Sequence, residues 1–473
     1  MRRPVPRAAC VLLPLLLPPG GEALPLSAFA TRSAATMARS AAASPTALSA
    51  AAPRRLAANA PGVLYVNDRC IDCAACAHFA PDVFGRSSPE ASCHVVRAQP
   101  AVDDGAQVDR ARAALSACPV GAIRVENRAR TRHAASVAAA AAAVAAGGGR
   151  AEVVVEEEEE ASAEERRALA DQLALSPAFN GLDPPFPRPA APLSVGGDEV
   201  SFAGSHNEAS FGATPYLARG RGPGGGGRPV TVLIDAPRCT PAAVRAVLEF
   251  SGGDDPDYLL LTHVDDTAGH VGWVERFPSL RRIFHSGDLG TANWLRDEAL
   301  EDVEVLLGGG EEPGGGGVGG RAATFAAWDL DGNPTEGNFE GEGGAPPSWP
   351  EGIEGDFVVL HTPGHSPGSI SLLQRTRAGL GVLFTGDTYA KSGREGWDMT
   401  GFPQYCKGSR EGQIGTLRMI GSISGVWDVI APGHGHVRDY AALEGDAARV
   451  GRIKRDEMEA AIEELGRVPS NHK

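Results

Sequence analysis

The sequence predicts an α+β chain that contains two folded units of unequal size. Five of the eight cysteines lie between residues 70 and 118, and four of these five have the spacing of a shared site. Apolar patterning returns at Ser194 and continues to about Ile462, and five short apolar runs in that stretch each lead into a histidine or an aspartate. Such runs of four or five residues predict buried strands. At 473 residues, the chain has room for about three domains of roughly 150 residues each.

Composition narrows the classes of protein that fit. Glycine (60 residues) and proline (36 residues) are abundant and aromatic residues make up only 6% of the chain, so we expect compact domains within inserted, irregular material. The net charge of −15 argues against a general nucleic-acid binder. No apolar run reaches the roughly 18 residues that a membrane-spanning helix needs, so we expect no transmembrane helix.

Residues 1–67 have the pattern of a bipartite targeting presequence. Arginines near the start precede an apolar run from Ala8 to Leu17, as in a signal peptide. Residues 23–67 then contain serine, alanine and arginine but no acidic residue, as in an organellar transit peptide. The segment Leu-Ser-Ala-Phe-Ala-Thr-Arg at residues 26–32 resembles the Ala-Phe cleavage motif of bipartite plastid presequences. We therefore expect delivery to a plastid, with secretion or another organelle as the alternative.

Changes in composition divide the rest of the chain. We expect residues 68–127 to form a small folded unit and residues 128–194, with their alanine and glutamate runs, to form a low-complexity linker. Residues 195–445 carry the apolar patterning of the larger domain, and residues 446–473 are expected to form a C-terminal helix and tail.

The cysteine spacing is typical of an iron–sulfur site. Cys70, Cys73 and Cys76 follow each other at intervals of three, and Cys118 precedes Pro119 after 41 intervening residues. Three thiolates in a tight loop and a fourth placed by a helix can hold a 4Fe–4S cluster. A zinc ribbon would need a second Cys-x-x-Cys pair, which is missing. A disulfide framework would not crowd three cysteines into seven residues.

The surrounding sequence resembles the single-cluster bacterial-type ferredoxins. The resemblance covers about residues 63–126 and rests on YVNDRCIDCAACAHFAPDVFGR and on the segment ending ALSACPVGAIRVE. It implies that the Cys-Pro-x-x-Ala-Ile element at residues 118–123 follows a helix and leads into the last strand. Cys93 lies between the two parts and is expected to be a lone thiol rather than a ligand.

The second group of motifs combines histidine with aspartate. Each follows an apolar run: Asp235 after Thr231–Ile234, His263-Val-Asp265-Asp266 after Tyr258–Thr262, His361-Thr-Pro-Gly-His365 after Phe357–Leu360, Asp387 after Val382–Gly386, and His434-Gly-His436 after Val429–Gly433. Side chains placed just past strand ends converge along one sheet edge. Histidine and carboxylate together suit zinc, iron or manganese.

In this order, the motifs resemble the metallo-β-lactamase superfamily of metallo-hydrolases and oxidoreductases, across about residues 195–445. The resemblance implies an αββα sandwich with one or two zinc or iron ions at the sheet edge. It also implies that Asp235 braces the site loop. His365, Asp387 and His434 match the third histidine, the bridging aspartate and the last histidine of the family pattern.

The first family motif, Thr-His-x-His-x-Asp-His, matches less closely. His263 matches its first histidine, Asp265 stands at the second, and the Asp-His pair falls on Thr267 and Ala268. We expect Asp266 and His270 to take those roles in a shifted loop, since residues four apart share a helix face. Support by hydrogen bonding is expected from His361 and His436, and His285 is a further candidate for the pocket wall. The predicted metal ligands are therefore His263, Asp265, His270, His365, Asp387 and His434.

Three functions remain open at the level of the sequence. In a hydrolase of a small-molecule substrate, Asp387 bridges the metals and Asp265 or Asp266 positions or deprotonates the water. In a non-haem iron oxidoreductase, the cluster delivers electrons from a ferredoxin reductase or another donor. Flavodiiron-type members of the superfamily carry a glutamate where this chain has Asp265, although this chain contains no flavin module. In the third, the metal site is degenerate and the chain is a non-catalytic electron-transfer protein.

The length of the linker affects how well the second function, the oxidoreductase supplied with electrons by the cluster, fits this chain. A long flexible connection argues mildly against fast electron transfer in a fixed geometry, although a tether still raises effective concentration. Similar fusions in plant and cyanobacterial proteins have no assigned activity. Of the three functions, we expect hydrolysis first, because the chemistry of the site and the resemblance in fold both favour it.

Overall fold

The structure, a computed structural model, describes residues 53–89, 91–125, 188–189, 199–224, 227–308, 326–335, 339, 348–350, 353–392 and 399–468. The predicted presequence up to residue 52 and all of the predicted linker except residues 188–189 lie outside these residues. Within the part of the chain that is described, no helix is both long and apolar enough to cross a membrane.

Residues 53–125 form a small unit, here called the cysteine unit. Its elements are β1 (Leu64–Val66), α1 (Ala75–Phe79), β2 (Phe84–Arg86), β3 (His94–Val96), α2 (Gly105–Ala117) and β4 (Ile123–Val125). β1 pairs antiparallel with β4, and β2 with β3. The Asp104 side chain caps α2 by accepting a hydrogen bond from the Gln107 backbone N–H at 2.9 Å. Because β1 belongs to this unit, the fold begins before residue 68, inside the segment that the sequence assigned to the presequence.

The larger unit, here called the sandwich, contains two seven-stranded sheets. The first has the order β11-β10-β9-β8-β7-β6-β5. Its strands are β5 (Arg188–Pro189), β6 (Val200–Phe202), β7 (Tyr216–Gly220), β8 (Val230–Ile234), β9 (Tyr258–Leu260), β10 (Arg281–His285) and β11 (Val305–Leu307). β8 to β11 run parallel, as expected for strands joined by helical crossovers.

The second sheet has the order β13-β12-β14-β15-β16-β19-β20. Its strands are β12 (Ala327–Trp328), β13 (Pro334–Thr335), β14 (Phe357–His361), β15 (Ile370–Arg375), β16 (Gly381–Gly386), β19 (Val429–Pro432) and β20 (Arg438–Asp439). A separate ribbon pairs β17 (Ala390–Lys391) with β18 (Met399–Thr400). The predicted apolar runs are the buried strands β8, β9, β14, β16 and β19, as the sequence indicated.

Helices cover the outer face of each sheet. Those on the first sheet are α3 (Pro241–Ser251) and α4 (His270–Arg276), and those on the second are α5 (Arg410–Ser422) and α6 (Ala447–Arg467). The inner faces meet in one core, where Ile234 and Leu260 of the first sheet share a cluster with Leu372 and Phe384 of the second. The layers are therefore helix, sheet, sheet, helix, which confirms the predicted αββα fold.

The cysteine unit packs directly against the sandwich. Buried side chains of both units belong to the same hydrophobic cluster, and the ring centroids of Phe79 and Phe202 lie 5.0 Å apart. The His78 Nδ1 lies 3.3 Å from the Thr214 hydroxyl, and Arg238 donates to the Ser116 carbonyl at 3.4 Å. The two units thus have a fixed contact, which the length of the linker did not lead us to expect.

Candidate metal centres and the cavity between them

The four predicted cluster ligands line one small cavity of about 20 Å³. Asp72 and Ala74 both have a φ of 60°, and this left-handed backbone curls the loop that carries Cys70, Cys73 and Cys76. The fourth thiol, Cys118, is the residue that ends α2. Backbone N–H groups point at two of the sulfurs: those of His94 at 3.4 Å from Cys70 Sγ and of Ala122 at 3.2 Å from Cys118 Sγ. Cys93 does not line this cavity.

The electrostatics of this cavity favour a bound cationic group. Burial, with added repulsion from neighbouring thiolates, raises the pKa of Cys73 to about 12 and also raises the pKa of Cys76 well above its usual value. Thiolates crowded in an apolar cavity need positive charge close by, and the irons of a 4Fe–4S cluster supply it. The residues therefore fit the cluster that their spacing predicts.

A second group of donors lies where strands of both sheets end at one edge. The group follows β9, β14, β16 and β19 and consists of His263, Asp265, Asp266, His365, Asp387 and His434. All six side chains are at least four-fifths buried. Residues from positions 263 to 434 thus meet in one place because the strand ends meet there.

Asp387 occupies the middle of this group. Its Oδ2 lies 3.9 Å from His263 Nε2, 3.7 Å from His365 Nε2 and 4.0 Å from His434 Nε2. Asp266 lies beside it, with Oδ1 at 3.7 Å from His434 Nε2 and Oδ2 at 3.8 Å from His263 Nδ1. Asp387 thus lies close to all three histidines.

The donors form two overlapping sets, each of which could hold an ion. One comprises His263, Asp265 and His365, and the other comprises His263, Asp266 and Asp387, with donor atoms within 4.8 Å of one another. Sequence reasoning placed Asp266 in this region, and the structure brings its carboxylate into the second set. Carboxylate and imidazole donors without thiolate suit zinc, iron or manganese.

Several buried donor atoms in this group have no hydrogen-bond partner among the described residues. They are His263 Nε2, His365 Nδ1 and Nε2, Asp266 Oδ1 and Oδ2, and Asp387 Oδ1. A buried polar group without a partner costs about 1–3 kcal/mol, so this concentration in one place requires an explanation. Burial alone would lower the pKa of His263 and His434, yet the surrounding carboxylates raise these values to about 9 and about 10. The excess negative charge and the free donors both fit one or two bound cations.

Buried carboxylates hold the loops of this centre. Asp288 accepts hydrogen bonds from the Val264 N–H at 3.0 Å, the Ser366 hydroxyl at 2.7 Å and the Gly368 N–H at 2.6 Å. It therefore ties the loop after β9 to the loop after β14. Asp235 accepts from the Thr262 N–H at 2.9 Å, the bracing contact that the resemblance implied. Asp288 was not found by sequence reasoning, because it belongs to none of the strand-end motifs.

His270, a predicted ligand, lies outside the donor group. Its Nε2 is 3.0 Å from Asp297 Oδ2, and its Nδ1 is 3.1 Å from Arg282 Nη1, so both ring nitrogens already have partners. As the first residue of α4, it starts the helix instead of continuing the ligand loop. The expectation that His270 shares the centre with Asp266 is therefore not matched by its position.

The other three histidines also have partners elsewhere. His361 stacks on His285 with ring centroids 4.1 Å apart, and its Nε2 lies 3.0 Å from the Pro367 carbonyl oxygen. His436 meets His78 edge-on at 4.7 Å, at the junction of the two units. His285 does not line the cavity described below.

Lys407 and Trp294 complete the surroundings of Asp265, and neither was predicted. Lys407 Nζ lies 2.8 Å from Asp265 Oδ1 and 3.0 Å from Oδ2, while the Trp294 indole N–H donates to Oδ1 at 2.6 Å. Burial alone would raise the pKa of Asp265, but neighbouring histidines and Lys407 hold that pKa well below its usual range. Lys407 lies in an irregular segment before α5, with no local pattern that could have identified it.

The centre opens into a cavity of about 470 Å³. Asp265, Asp387, His434 and Lys407 border it from the sandwich. The opposite border comes from the cysteine unit, through residues 71–74 with Arg86 and His94. A cavity of this size can hold a small organic molecule. The loop that carries the cluster ligands is thus also a wall of the cavity above the second centre.

A comparison with models of known protein families gave a match to the cysteine unit. Residues 66–125 match the family model described as the 4Fe-4S single cluster domain of Ferredoxin I. The cysteine unit is a single-cluster ferredoxin domain. We call it the ferredoxin domain below. A comparison with curated proteins gave no match.

Solved structures similar to the chain include metallo-β-lactamases and a lactonase. The mono-zinc form of FIM-1 from Pseudomonas aeruginosa is 12% identical, with a TM-score of 0.31 and coverage of 56% of this chain and 96% of that chain. An enzyme from Erythrobacter litoralis is 14% identical, with a TM-score of 0.30 and coverage of 53% and 85%. A quorum-quenching N-acyl homoserine lactone lactonase is 19% identical, with a TM-score of 0.30 and coverage of 47% and 79%. The fold assigned above follows from the sheet order and layers of this chain itself.

Proposed function

We propose that the chain is a metal-dependent hydrolase of a small molecule. The observation that carries the proposal is the group of six buried donors, several without hydrogen-bond partners among the described residues, three of which line a cavity of about 470 Å³. His263, Asp265 and His365 would hold one ion, and Asp266 and Asp387, with His434 beside them, would hold a second. Zinc or iron bound there would lower the pKa of a coordinated water and polarise a carbonyl or phosphoryl oxygen.

The protein side chains have separate parts in this proposal. Asp266 has two buried carboxylate oxygens without hydrogen-bond partners among the described residues, so it can orient a water molecule or accept its proton. Asp265 is already held by Lys407 and Trp294, which suits a fixed ligand better than a proton acceptor. Lys407 borders the cavity, where its ammonium group can donate to a substrate oxygen on which negative charge develops.

A matched pair of histidine variants tests this assignment. We expect His434→Gln to lose metal from the sandwich and to lower the hydrolysis of a panel of esters, lactones and phosphodiesters by at least about 100-fold. His270→Gln should keep both metal and activity, since His270 lies outside the donor group. Metal is measured on the full chain after subtracting the iron of the cluster. Metal binding without hydrolysis of any panel member, or full activity of His434→Gln, would contradict the proposal.

A second candidate function, redox chemistry at the same centre, is favoured by one contact. The ferredoxin domain approaches the sandwich so closely at Gly212 that a Cβ there would lie 2.6 Å from Cys73 Cβ and 2.9 Å from its Sγ. Two residues further on, the Thr214 N–H donates at 2.7 Å to the carbonyl of Gly433, the neighbour of His434. A cluster ligand and a candidate metal ligand are thus joined by one contact, a short stretch of backbone and one hydrogen bond.

This route suits the passage of single electrons, supplied to the ferredoxin domain by an external one-electron donor. The test is electron paramagnetic resonance of the reduced full chain, loaded in the sandwich with either zinc or iron. Iron should speed the relaxation of the cluster signal, because two paramagnetic centres at short distance couple. Equal relaxation in the two samples would rule out a close redox pair and leave the hydrolase proposal untouched.

A further inference from the structure

One part of the cavity wall is apolar and exposed, whereas the part that the metal-centre side chains form is polar and buried. Seven large apolar side chains are strongly exposed among the described residues, and three of them lie on this cavity: Ile71 (42% exposed), Phe211 (53%) and Tyr405 (53%). We call these three residues the collar. Phe402 and Pro403 continue the same wall. Exposed apolar groups that gather around one opening are typical of a binding site.

The backbone gives a second, independent observation. Non-glycine residues rarely adopt a positive φ, and a bulky residue that does so is under strain. Phe211 has a φ of 49° and Phe402 a φ of 50°, and both line the cavity. The chain therefore holds two phenylalanines in an unfavourable conformation at one opening. Such strain persists where the position of the side chain is used.

The collar comes from both units of the molecule. Ile71 stands between the first two cysteines of the ferredoxin domain, while Phe211 and Tyr405 belong to loops of the sandwich. Neither unit alone surrounds the opening. Lys407, Asp387 and His434 line the same cavity and are less exposed than the collar, and we call these three side chains the polar base.

We propose that the ferredoxin domain is part of the substrate site, and that the substrate carries an apolar chain or ring beside the group that reacts. Ile71, Phe211 and Tyr405 contact the apolar part, while the reactive carbonyl or phosphoryl group reaches the polar base. This inference rests on the proposed hydrolase function and adds the class of substrate. Ile71 is then a specificity-determining residue that the ferredoxin domain contributes.

The test compares esters of increasing chain length. The full chain, with its cluster and zinc in place, is assayed on p-nitrophenyl acetate and p-nitrophenyl octanoate. We expect kcat/KM to be higher for the octanoate, and we expect Ile71→Ser to lower the octanoate-to-acetate ratio by about tenfold, the size of the effect for loss of one to two buried methylene contacts. Tyr405→Ser should lower the same ratio. Because Tyr405 lies far along the chain from the cysteines, this variant makes no change beside a cluster ligand. Val102→Ser is the control, because Val102 is an exposed apolar residue of the ferredoxin domain away from the cavity.

A binding measurement separates the two proposals. Calorimetric titration with octanoate and acetate needs no turnover, so it reports on the collar even if no ester is hydrolysed. Tighter binding of octanoate that weakens in Ile71→Ser and Tyr405→Ser supports the collar, whether or not hydrolysis occurs. Equal binding of both acids, together with an unchanged ratio in both variants, overturns the inference while leaving the hydrolase proposal standing.

Discussion

The two centres of this molecule differ in how they are enclosed. The four thiols of the ferredoxin domain surround a space of about 20 Å³, whereas three of the six donors of the sandwich line a space of about 470 Å³. A closed site lined by thiols suits a cofactor that stays in place and has no room for a substrate that enters and leaves. An open site with unpartnered carboxylates and imidazoles has room for both metal and substrate. In the proposed function, the first centre therefore carries electrons or supports the structure, and the second centre acts on the substrate.

The centres also differ in where their ligands come from. Three of the four thiols lie within seven residues of chain, so a local loop nearly completes the first centre. The second centre draws its donors from four strand ends and depends on buried carboxylates such as Asp288 to hold its loops together. A change far from the ligands should therefore disturb the second centre more readily than the first.

The largest expected effect is loss of the cluster in Cys118→Ser. This thiol alone comes from outside the local loop, and a cubic cluster needs a fourth ligand. Visible absorption and iron content of the purified chain should both show a loss of cluster iron. Cys93→Ser is the matched control and should retain the cluster, since Cys93 does not line the cavity. A cluster retained in Cys118→Ser, or lost in Cys93→Ser, would show that the ligand set is assigned incorrectly.

Asp288→Asn tests whether metal binding at the second centre depends on the hydrogen bonds that hold its loops together. The substitution should weaken metal binding in the sandwich by about 10- to 100-fold, because an amide cannot accept all three hydrogen bonds that join the two ligand loops. Competition with a chelator measures the affinity. Asp297→Asn removes the carboxylate beside His270 instead and should leave affinity unchanged. Equal weakening by both substitutions would mean that general loss of stability, and not the brace, is responsible.

The junction between the two units is tested at Gly212. Both Gly212 and Gly290 have a left-handed φ, of 81° and 60°, so alanine at either position carries backbone strain of about 1–2 kcal/mol. Only Gly212→Ala also presses against Cys73. We expect it to lower the free energy of unfolding by about 1–2 kcal/mol more than Gly290→Ala and to speed loss of the cluster in air. Identical thermal unfolding and cluster lifetimes in the two variants would argue against a tight junction.

The smallest expected effect is a pH dependence at the same junction, where the His206 ring lies 5.9 Å from the Phe79 ring and its Nδ1 lies 2.9 Å from the Gly212 carbonyl oxygen. Burial lowers the pKa of His206 to about 4, from 6.5 in the unfolded chain. Between these values the unfolded chain binds the extra proton, so stability is lost as pH falls from about 6.5 towards 4. His206→Gln should reduce the loss of stability between pH 7 and pH 5.5 by about 1 kcal/mol. Chemical denaturation at the two pH values measures this loss of stability. An equal loss in the variant and in the unchanged chain would exclude His206 as a source of the acid sensitivity.

Much of both centres could be predicted from the sequence. The spacing of Cys70, Cys73 and Cys76 indicates a shared site because a tight loop brings nearby thiols together without help from the rest of the fold. The strand-end motifs likewise indicate His263, His365, Asp387 and His434, because buried apolar runs end at one sheet edge.

Other features depend on contacts that spacing along the chain does not contain. His270 and Asp266 lie four residues apart, and their spacing made them equally suitable as metal ligands. At the start of α4, however, the His270 ring contacts Asp297 and Arg282, whereas Asp266 lies among the donors. Lys407 reaches Asp265 across 142 residues of sequence. The sequence by itself determined most of the cysteines, histidines and aspartates that gather at the two centres, and the strands that present them. Only the tertiary structure decided that the cysteine loop faces the metal centre across one cavity, since that depends on the packing of two separately folded surfaces.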